Sequence, residues 1–184
     1  MRIVGGKFKG RKLEAPAGLD TRPTSDRARE SIFNILEHQN WGRAALRQKR
    51  CLDMFSGTGA LGIEAFSRGA EHVTFVDNNE TAMKCLHANA KGMADRNQFS
   101  MIRTDASNPA QAKEPFDLVF MDAPYKSGLT DISLNALAAK GWIKPSTVCV
   151  VEVSKSDAWQ PSNQFKELDV RKYGAAKVFF LQLK

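Results

Sequence analysis

From about residue 51 the chain alternates between short apolar runs and segments whose apolar positions recur at helical spacing. Residues 51–55, Cys-Leu-Asp-Met-Phe, are apolar but for one acid and bounded by turn residues, which predicts a buried strand. A helix is predicted over 60–68 with Gly69 as its stop, then a strand over 72–76 ending at Asp77. A second helix, 80–91, has Asn78 or Asn79 as cap and Gly92 at its end. Strands over 99–103, ending near Asp105, and 116–121, ending at Asp122, come next. A helix over 129–140 is stopped by Gly141, and 147–153 is nearly all apolar, as a strand covered on both faces should be. The last two strands, 165–172 and 177–183, flank Tyr173-Gly174-Ala175-Ala176 and read as a hairpin.

Five strands joined by crossovers predict an α/β fold with a doubly wound, mostly parallel, Rossmann-like sheet. The C-terminal β-hairpin brings the count to seven, with at least one strand antiparallel. Upstream, residues 2–15 suggest a small hairpin turning at Gly5-Gly6 and Gly10. A helix starting near Ser25 then carries Ala28, Ile32, Ile35 and Leu36 on one stripe. The expected division is an extension over 1–40 and a main domain over 41–184.

Composition narrows the class. With 184 residues, 42% hydrophobic and 26% charged, the chain reads as a soluble globular protein of one main domain. Cys51, Cys85 and Cys149 form no CxxC pair, which argues against a zinc site or disulfide framework and for a reducing compartment. No apolar run approaches the roughly 18 residues of a membrane span, and the N-terminus lacks a secretory apolar segment. A cytoplasmic monomer, with no metal and no membrane partner, is expected.

Charge changes the picture more. Residues 1–50 carry twelve Lys/Arg against five Asp/Glu and so hold the whole net +7. Residues 2–12 contain Arg2, Lys7, Lys9, Arg11 and Lys12 and no acid. A basic arm on a neutral body suggests contact with a polyanion, most often nucleic acid, by salt-dependent phosphate neutralisation. A solvated surface that aids solubility is the alternative.

The segment Asp53-Met54-Phe55-Ser56-Gly57-Thr58-Gly59-Ala60-Leu61-Gly62 leaves a predicted strand and opens a predicted helix. Glycines there let backbone turn tightly and approach a ligand. Asp77, twenty residues beyond Gly57, stands where an acid accepts hydrogen bonds from a ribose. Two ligands suit such a loop: a dinucleotide or S-adenosylmethionine. Asp53, just ahead of the glycines, would repel a pyrophosphate and favours the cationic amino-acid end of S-adenosylmethionine.

Asp122-Ala123-Pro124-Tyr125 ends the fourth predicted strand, at the sheet edge where open α/β folds bind ligands. An exocyclic amine on a base is a poor nucleophile until acceptors draw on its protons. The Asp122 carboxylate and the Ala123 carbonyl supply two acceptors, Pro124 stiffens the loop, and Tyr125 offers a ring on which a flipped base can stack.

Asp53-x-Phe55-x-Gly57-x-Gly59 resembles the cofactor loop of class I methyltransferases, and Asp122-Ala123-Pro124-Tyr125 resembles their Asp/Asn-Pro-Pro-Tyr/Phe amine-methylation motif. Arg2-Ile3-Val4-Gly5-Gly6, Gly10-Arg11-Lys12-Leu13, Arg22-Pro23-Thr24 and Arg29-Glu30-x-x-Phe33-Asn34 resemble the bacterial small-subunit ribosomal RNA guanine-N2 methyltransferases of the RsmD family. The likeness runs over essentially the whole chain. It implies a seven-stranded methyltransferase sheet and S-adenosylmethionine as cofactor. The implied activity is methylation of the 2-amino group of one guanine in small-subunit (16S) RNA, bare or within an assembly particle. By position it implies Asp53, Phe55, Ser56, Gly57 and Gly59 around the methionine part, and Asp77 and Asn78 at the ribose. Asp105 and Ala106 would lie at the adenine, and Arg22 and Thr24 at the cofactor's mouth. Asp122, Ala123, Pro124 and Tyr125 would be the catalytic set, and Arg2, Lys7, Lys9, Arg11 and Lys12 would grip RNA phosphates. Ala123 departs from the motif's first proline; its carbonyl remains, so a looser loop with the same chemistry is expected.

The other candidates read as structural. His38, His72 and His87 share no metal-ligand spacing, Trp41, Trp142 and Trp159 read as packing residues, and Glu64, Glu80 and Glu152 as helix-face or strand-end charges. Ser31 and Ser56 lack a paired base. The competing functions are an amino-methyltransferase of the same fold acting on DNA adenine or cytosine or a protein glutamine, an NAD-dependent oxidoreductase, and a non-enzymatic RNA-binding module.

Overall fold

The structure, a computed structural model, describes residues 1–15, 25–95, 97–125 and 127–184. In chain order its elements are α1 (Asp26–His38), α2 (Asn40–Leu46), β1 (Arg50–Met54), α3 (Ala60–Ser67), β2 (His72–Asp77) and α4 (Glu80–Ala90). They continue with β3 (Phe99–Arg103), β4 (Phe116–Asp122), α5 (Leu129–Ala139), β5 (Ile143–Ser154), β6 (Phe165–Tyr173) and β7 (Ala176–Leu183).

One sheet runs in the order β3-β2-β1-β4-β5-β7-β6. β1 to β5 are parallel to their neighbours among them, and β7 runs antiparallel to both β5 and β6. The doubly wound sheet with a closing hairpin is the architecture that the alternating pattern predicts. β1 is central, with Cys51 paired to Val73 on one side and Leu118 on the other.

Side chains divide between the two faces with period two. Cys51, Val73, Phe75, Leu118, Phe120, Val148, Val150, Val178 and Phe180 share a core with Ile32, Phe33 and Leu36 of α1, Ile63 of α3 and Leu86 of α4. Leu52, Met54, Val76, Val119, Met121, Cys149, Val151, Phe179 and Leu181 form the opposite core with Leu134 and Leu137 of α5. The same alternation sets Asp53, Asp122 and Glu152 on the face covered by α1, α3 and α4.

At the N-terminus the expected 2–15 hairpin is present: Arg2 bridges Lys12, Ile3 N–H donates to the Arg11 carbonyl at 2.9 Å, Gly10 N–H to the Ile3 carbonyl at 2.8 Å and Leu13 N–H to the Met1 carbonyl at 3.0 Å. Its tip docks on the end of α3: Lys7 N–H donates to the Ser67 carbonyl at 2.7 Å and Phe8 N–H to Ser67 Oγ at 2.9 Å. Gly6 lies against that carbonyl, where a Cβ would sit 1.9 Å from the oxygen. One element is added, α2, a seven-residue helix that the apolar spacing does not announce. Gly42 allows its close approach to the Leu36 backbone, which a Cβ would meet at 2.6 Å.

Glu64, expected as a helix-face charge, is fully buried. Its Oε1 accepts from Arg68 Nε at 2.7 Å and its Oε2 from the Val4 N–H at 2.8 Å, with Arg29 Nε 3.6 Å away. Arg29 donates in turn to the Arg2 carbonyl and to Asp26, and Arg68 to Glu37. This network, with Ile3 and Leu13 in the core, fixes residues 1–15 to α1 and α3. Cys51 and Cys149 are buried thiols. Among the described residues no helix is long and apolar enough to cross a membrane.

Candidate active site

The site collects at the C-terminal edge of β1 to β4, where strands give way to loops. β1 carries Asp53 to the edge, and the chain then turns through Phe55, which adopts a positive φ of 61°. That conformation is uncommon for a bulky residue, and such strain is found where a functional loop is held by its surroundings. Gly57 (φ 52°) and Gly59 (φ 79°) continue the turn.

The two glycines serve different ends. A Cβ at Gly59 would meet Leu86 Cδ1 at 2.3 Å, so Gly59 lets α3 pack on α4. Among the described residues a Cβ at Gly57 would meet nothing within 4 Å. Gly57→Ala is accordingly expected to lower cofactor affinity at least about tenfold while the rest of the fold is kept, because the turn must leave its positive φ and the added methyl group enters the ligand's space. Calorimetric titration beside a thermal melt checks this; unchanged affinity would place the ligand elsewhere.

The loop is pinned by acids. Gly62 N–H donates to Asp53 Oδ2 at 2.8 Å, Gly57 N–H to Asp77 Oδ2 at 2.8 Å, and Asn79 N–H to Asp77 Oδ1 at 2.8 Å. Asn79 rather than Asn78 caps α4, accepting from Ala82 N–H at 3.0 Å, and Asn78 stands exposed beside it. Asp105 follows β3 in an exposed turn, where the Ser107 N–H and hydroxyl hold its carboxyl below the usual range. Ala106 beside it is buried in the α5-side core. Among the described residues Ser56 Oγ is buried with no hydrogen-bond partner.

Burial pushes the Asp53 carboxyl up to about 8; the Gly62 N–H opposes this and Asp77 adds to it. Between about pH 4, where an ordinary carboxyl ionises, and about 8 the folded protein holds a proton that the unfolded chain has lost. Stability should therefore fall as pH rises through that window. Asp53→Asn, which keeps an acceptor for Gly62, is expected to flatten this part of the profile in urea denaturation between pH 5 and 8.5. Equal slopes in the two proteins would contradict the assignment.

β4 delivers the tetrapeptide to the same edge. Asp122 pairs in register with Glu152 of β5. Burial, the Glu152 carboxylate and then Asp53 push the Asp122 carboxyl well above the usual range. Ala123 is buried, whereas Pro124 and Tyr125 are exposed. A small cleft beside them is lined by Ala123, Pro124, Tyr125, Val153 and Trp159. Ser127, which carries no signal in the sequence, braces the loop: its Oγ donates to the Pro124 carbonyl at 2.6 Å and accepts from Leu129 N–H at 3.2 Å.

Asn89 is another residue without a sequence signal. Its buried amide donates to the carbonyls of Thr58 and Glu14, both at 3.0 Å, and accepts from Glu14 N–H at 2.8 Å. It thus ties the glycine loop to the N-terminal segment. Arg22 and Thr24 lie outside the described residues. Of the basic arm, Lys7, Lys9 and Lys12 are exposed. Arg2 is exposed, with its Nε 3.7 Å from Asp26. Arg11 is used internally, donating to the carbonyls of Lys91 at 2.5 Å and Asn89 at 3.4 Å near the end of α4.

What could the loop hold? A pyrophosphate needs free N–H groups and no nearby anion, but the Gly57 N–H is given to Asp77, and the Asp77 and Asp105 carboxyls stand at this edge. A ligand with a cationic end fits. The family described as Conserved hypothetical protein 95 matches residues 1–182. Ribosomal RNA small subunit methyltransferase D of Escherichia coli K12 is 35% identical over 152 residues, 83% of this chain and 74% of that protein. The chain belongs to this methyltransferase D family. The Haemophilus influenzae member is 33% identical over 159 residues, 84% of this chain and 79% of its own. The solved structure of the methyltransferase yhhF from Escherichia coli superposes with a TM-score of 0.85 at 27% identity, covering 100% of this chain and 98% of that one. The methyltransferase sheet that the motifs imply is thus the fold observed, and the oxidoreductase alternative falls.

Proposed function

We propose that the protein methylates the exocyclic 2-amino group of a guanine in small-subunit (16S) ribosomal RNA, acting as a cytoplasmic monomer on free RNA or on an assembly particle. The observation that carries this is the meeting of Asp122-Ala123-Pro124-Tyr125 with an acid-pinned glycine loop at one sheet edge. S-adenosylmethionine is the methyl donor and supplies an electrophilic sulfonium methyl group when bound. Gly57 leaves room for it; Asp53 and Ser56 would hold its amino-acid end, Asp77 the ribose hydroxyls and Asp105 the adenine.

The protein's own work is mostly orientation. The Asp122 carboxylate and the Ala123 carbonyl accept from the two amine protons, which localises the lone pair on nitrogen. Tyr125, at the cleft lined by Ala123, Pro124 and Trp159, stacks on the base. Residues 1–40 form the RNA-contacting extension on the domain of residues 41–184, with Arg2, Lys7, Lys9 and Lys12 facing outward to phosphates. Arg11 supports the arm from beneath.

Reversing Lys9 and Lys12 to Glu is expected to weaken RNA binding without changing cofactor affinity. The log–log salt slope should drop by roughly 0.7–0.9 for each phosphate no longer neutralised. Filter binding across a salt series checks this, and an unchanged slope would remove these lysines from the interface. The function itself is tested by labelled methyl transfer to unmethylated small-subunit RNA, with cofactor binding measured in parallel. Label in RNA supports it, and cofactor binding without any transfer to RNA would overturn it.

A further inference from the structure

The chemistry above uses Asp122, the Ala123 carbonyl and Tyr125, and leaves one carboxylate beside them without a role. Glu152 lies on β5 in register with Asp122 on β4, so the two carboxylates leave neighbouring strands at the same level and on the same face. Glu152 is only 6% exposed. Asp122 beside it is half-buried, and placing two carboxylates side by side at such an edge is costly, because both cannot ionise freely. A strand-end charge serving solubility would sit outside.

Glu152 also reaches the other end of the tetrapeptide. The Tyr125 hydroxyl donates to Glu152 Oε1 at 3.2 Å. Tyr125 is 45% exposed, and this bond helps to set the direction of its ring. One side chain thus meets both the residue that orients the amine and the residue that stacks on the base.

We propose that Glu152 is a positioning residue for the methyl transfer: it holds Tyr125 across the cleft and forms with Asp122 a carboxylate pair that receives the proton released by the methylated amine. This rests on the placement of the amine at Asp122. The amine lone pair forms the new N–C bond as the C–S bond breaks, with the bonding pair remaining on sulfur. The surplus N–H proton then passes to an Asp122 oxygen. Glu152 makes that oxygen a better acceptor. Among the described residues the acids facing Asp122 are Glu152 from β5 and Asp53 from β1, and both push its carboxyl upward. The amine's N–H donors, once in place, favour its ionised form.

Three substitutions separate the contributions. Glu152→Ala removes both and is expected to lower kcat about 100-fold, the scale of a misplaced reacting group, with cofactor Kd within about threefold of wild type. Glu152→Gln keeps an acceptor for Tyr125 but removes the charge. It should recover much of kcat while moving the acid limb of the kcat–pH profile down by about one unit, the scale of coupling between adjacent carboxylates. Tyr125→Phe keeps the ring and loses the anchor; it should lower kcat while leaving the acid limb in place. If Glu152→Ala fails to fold, Glu152→Gln and Tyr125→Phe carry the test. Wild-type kcat and an unshifted acid limb in Glu152→Gln, with wild-type kcat in Tyr125→Phe, would overturn the proposal, whatever the change in melting temperature. Asp122→Ala is measured alongside: full activity there overturns the placement of the amine itself, whereas an inactive Asp122→Ala with unaffected Glu152 variants overturns only the role of Glu152.

Discussion

Asp122→Ala is expected to lower methyl transfer by about 10²–10⁴-fold, the range for removing a positioned acid–base group, while cofactor affinity stays within a few-fold of wild type. The asymmetry follows from geometry. Asp53 and Asp77 hold the glycine loop through Gly62 and Gly57, and neither bond involves Asp122. Deleting the Asp122 carboxylate leaves the cradle standing and takes away an acceptor that only the amine uses. It also removes one of the acids crowded at this edge, so the variant should be no less stable to heat than wild type. Single-turnover kinetics with cofactor pre-bound, set against equilibrium titration, check both halves. A variant that turned over normally would move the chemistry away from the tetrapeptide.

Glu64→Ala should have the largest effect on stability. Glu64 accepts from Arg68 at 2.7 Å and from the Val4 N–H at 2.8 Å, and it neighbours Arg29, whose side chain is fully enclosed. Removing it leaves two largely buried guanidinium groups facing each other without their shared counter-ion. Breaking a buried pair in this way costs about 3–5 kcal/mol. For a chain of this length that corresponds to a fall of roughly 6–20 °C in Tm. Because Val4 loses its acceptor as well, residues 1–15 should detach first, which amide exchange at Ile3 and Val4 would report. Unchanged exchange there, or a Tm within a degree or two of wild type, would show that Ile3 and Leu13 hold the segment without the ionic network.

The strands and the glycine loop were legible because their signals are local. A parallel strand covered on both faces reads as an uninterrupted apolar run, and each of the first four runs ends close to an acid at the ligand-binding edge. The roles of Glu64 and Glu152 are not local. An acid four residues before Arg68 looks like an exposed helix pair, and only the docking of Val4 from sixty residues upstream makes it a buried hub. Glu152 gains its place from β4–β5 register, which the sequence of either strand does not contain. Arg11 shows the converse: its charge marks it for phosphate, yet the carbonyls near the end of α4 take it. The N-terminal hairpin was legible from its glycines, but the docking of its tip on the end of α3 was not, since Ser67 lies sixty residues away in sequence.

The most direct measurement is nucleoside analysis of small-subunit ribosomal RNA, unmethylated at the outset, after incubation with the protein and labelled S-adenosylmethionine, both as free RNA and in subunit particles. The expected result is label recovered as N2-methylguanosine from at least one of the two substrates, lost in Asp122→Ala. Label in any other nucleoside, or in protein alone, would contradict the assignment of the guanine 2-amino group as the methyl acceptor.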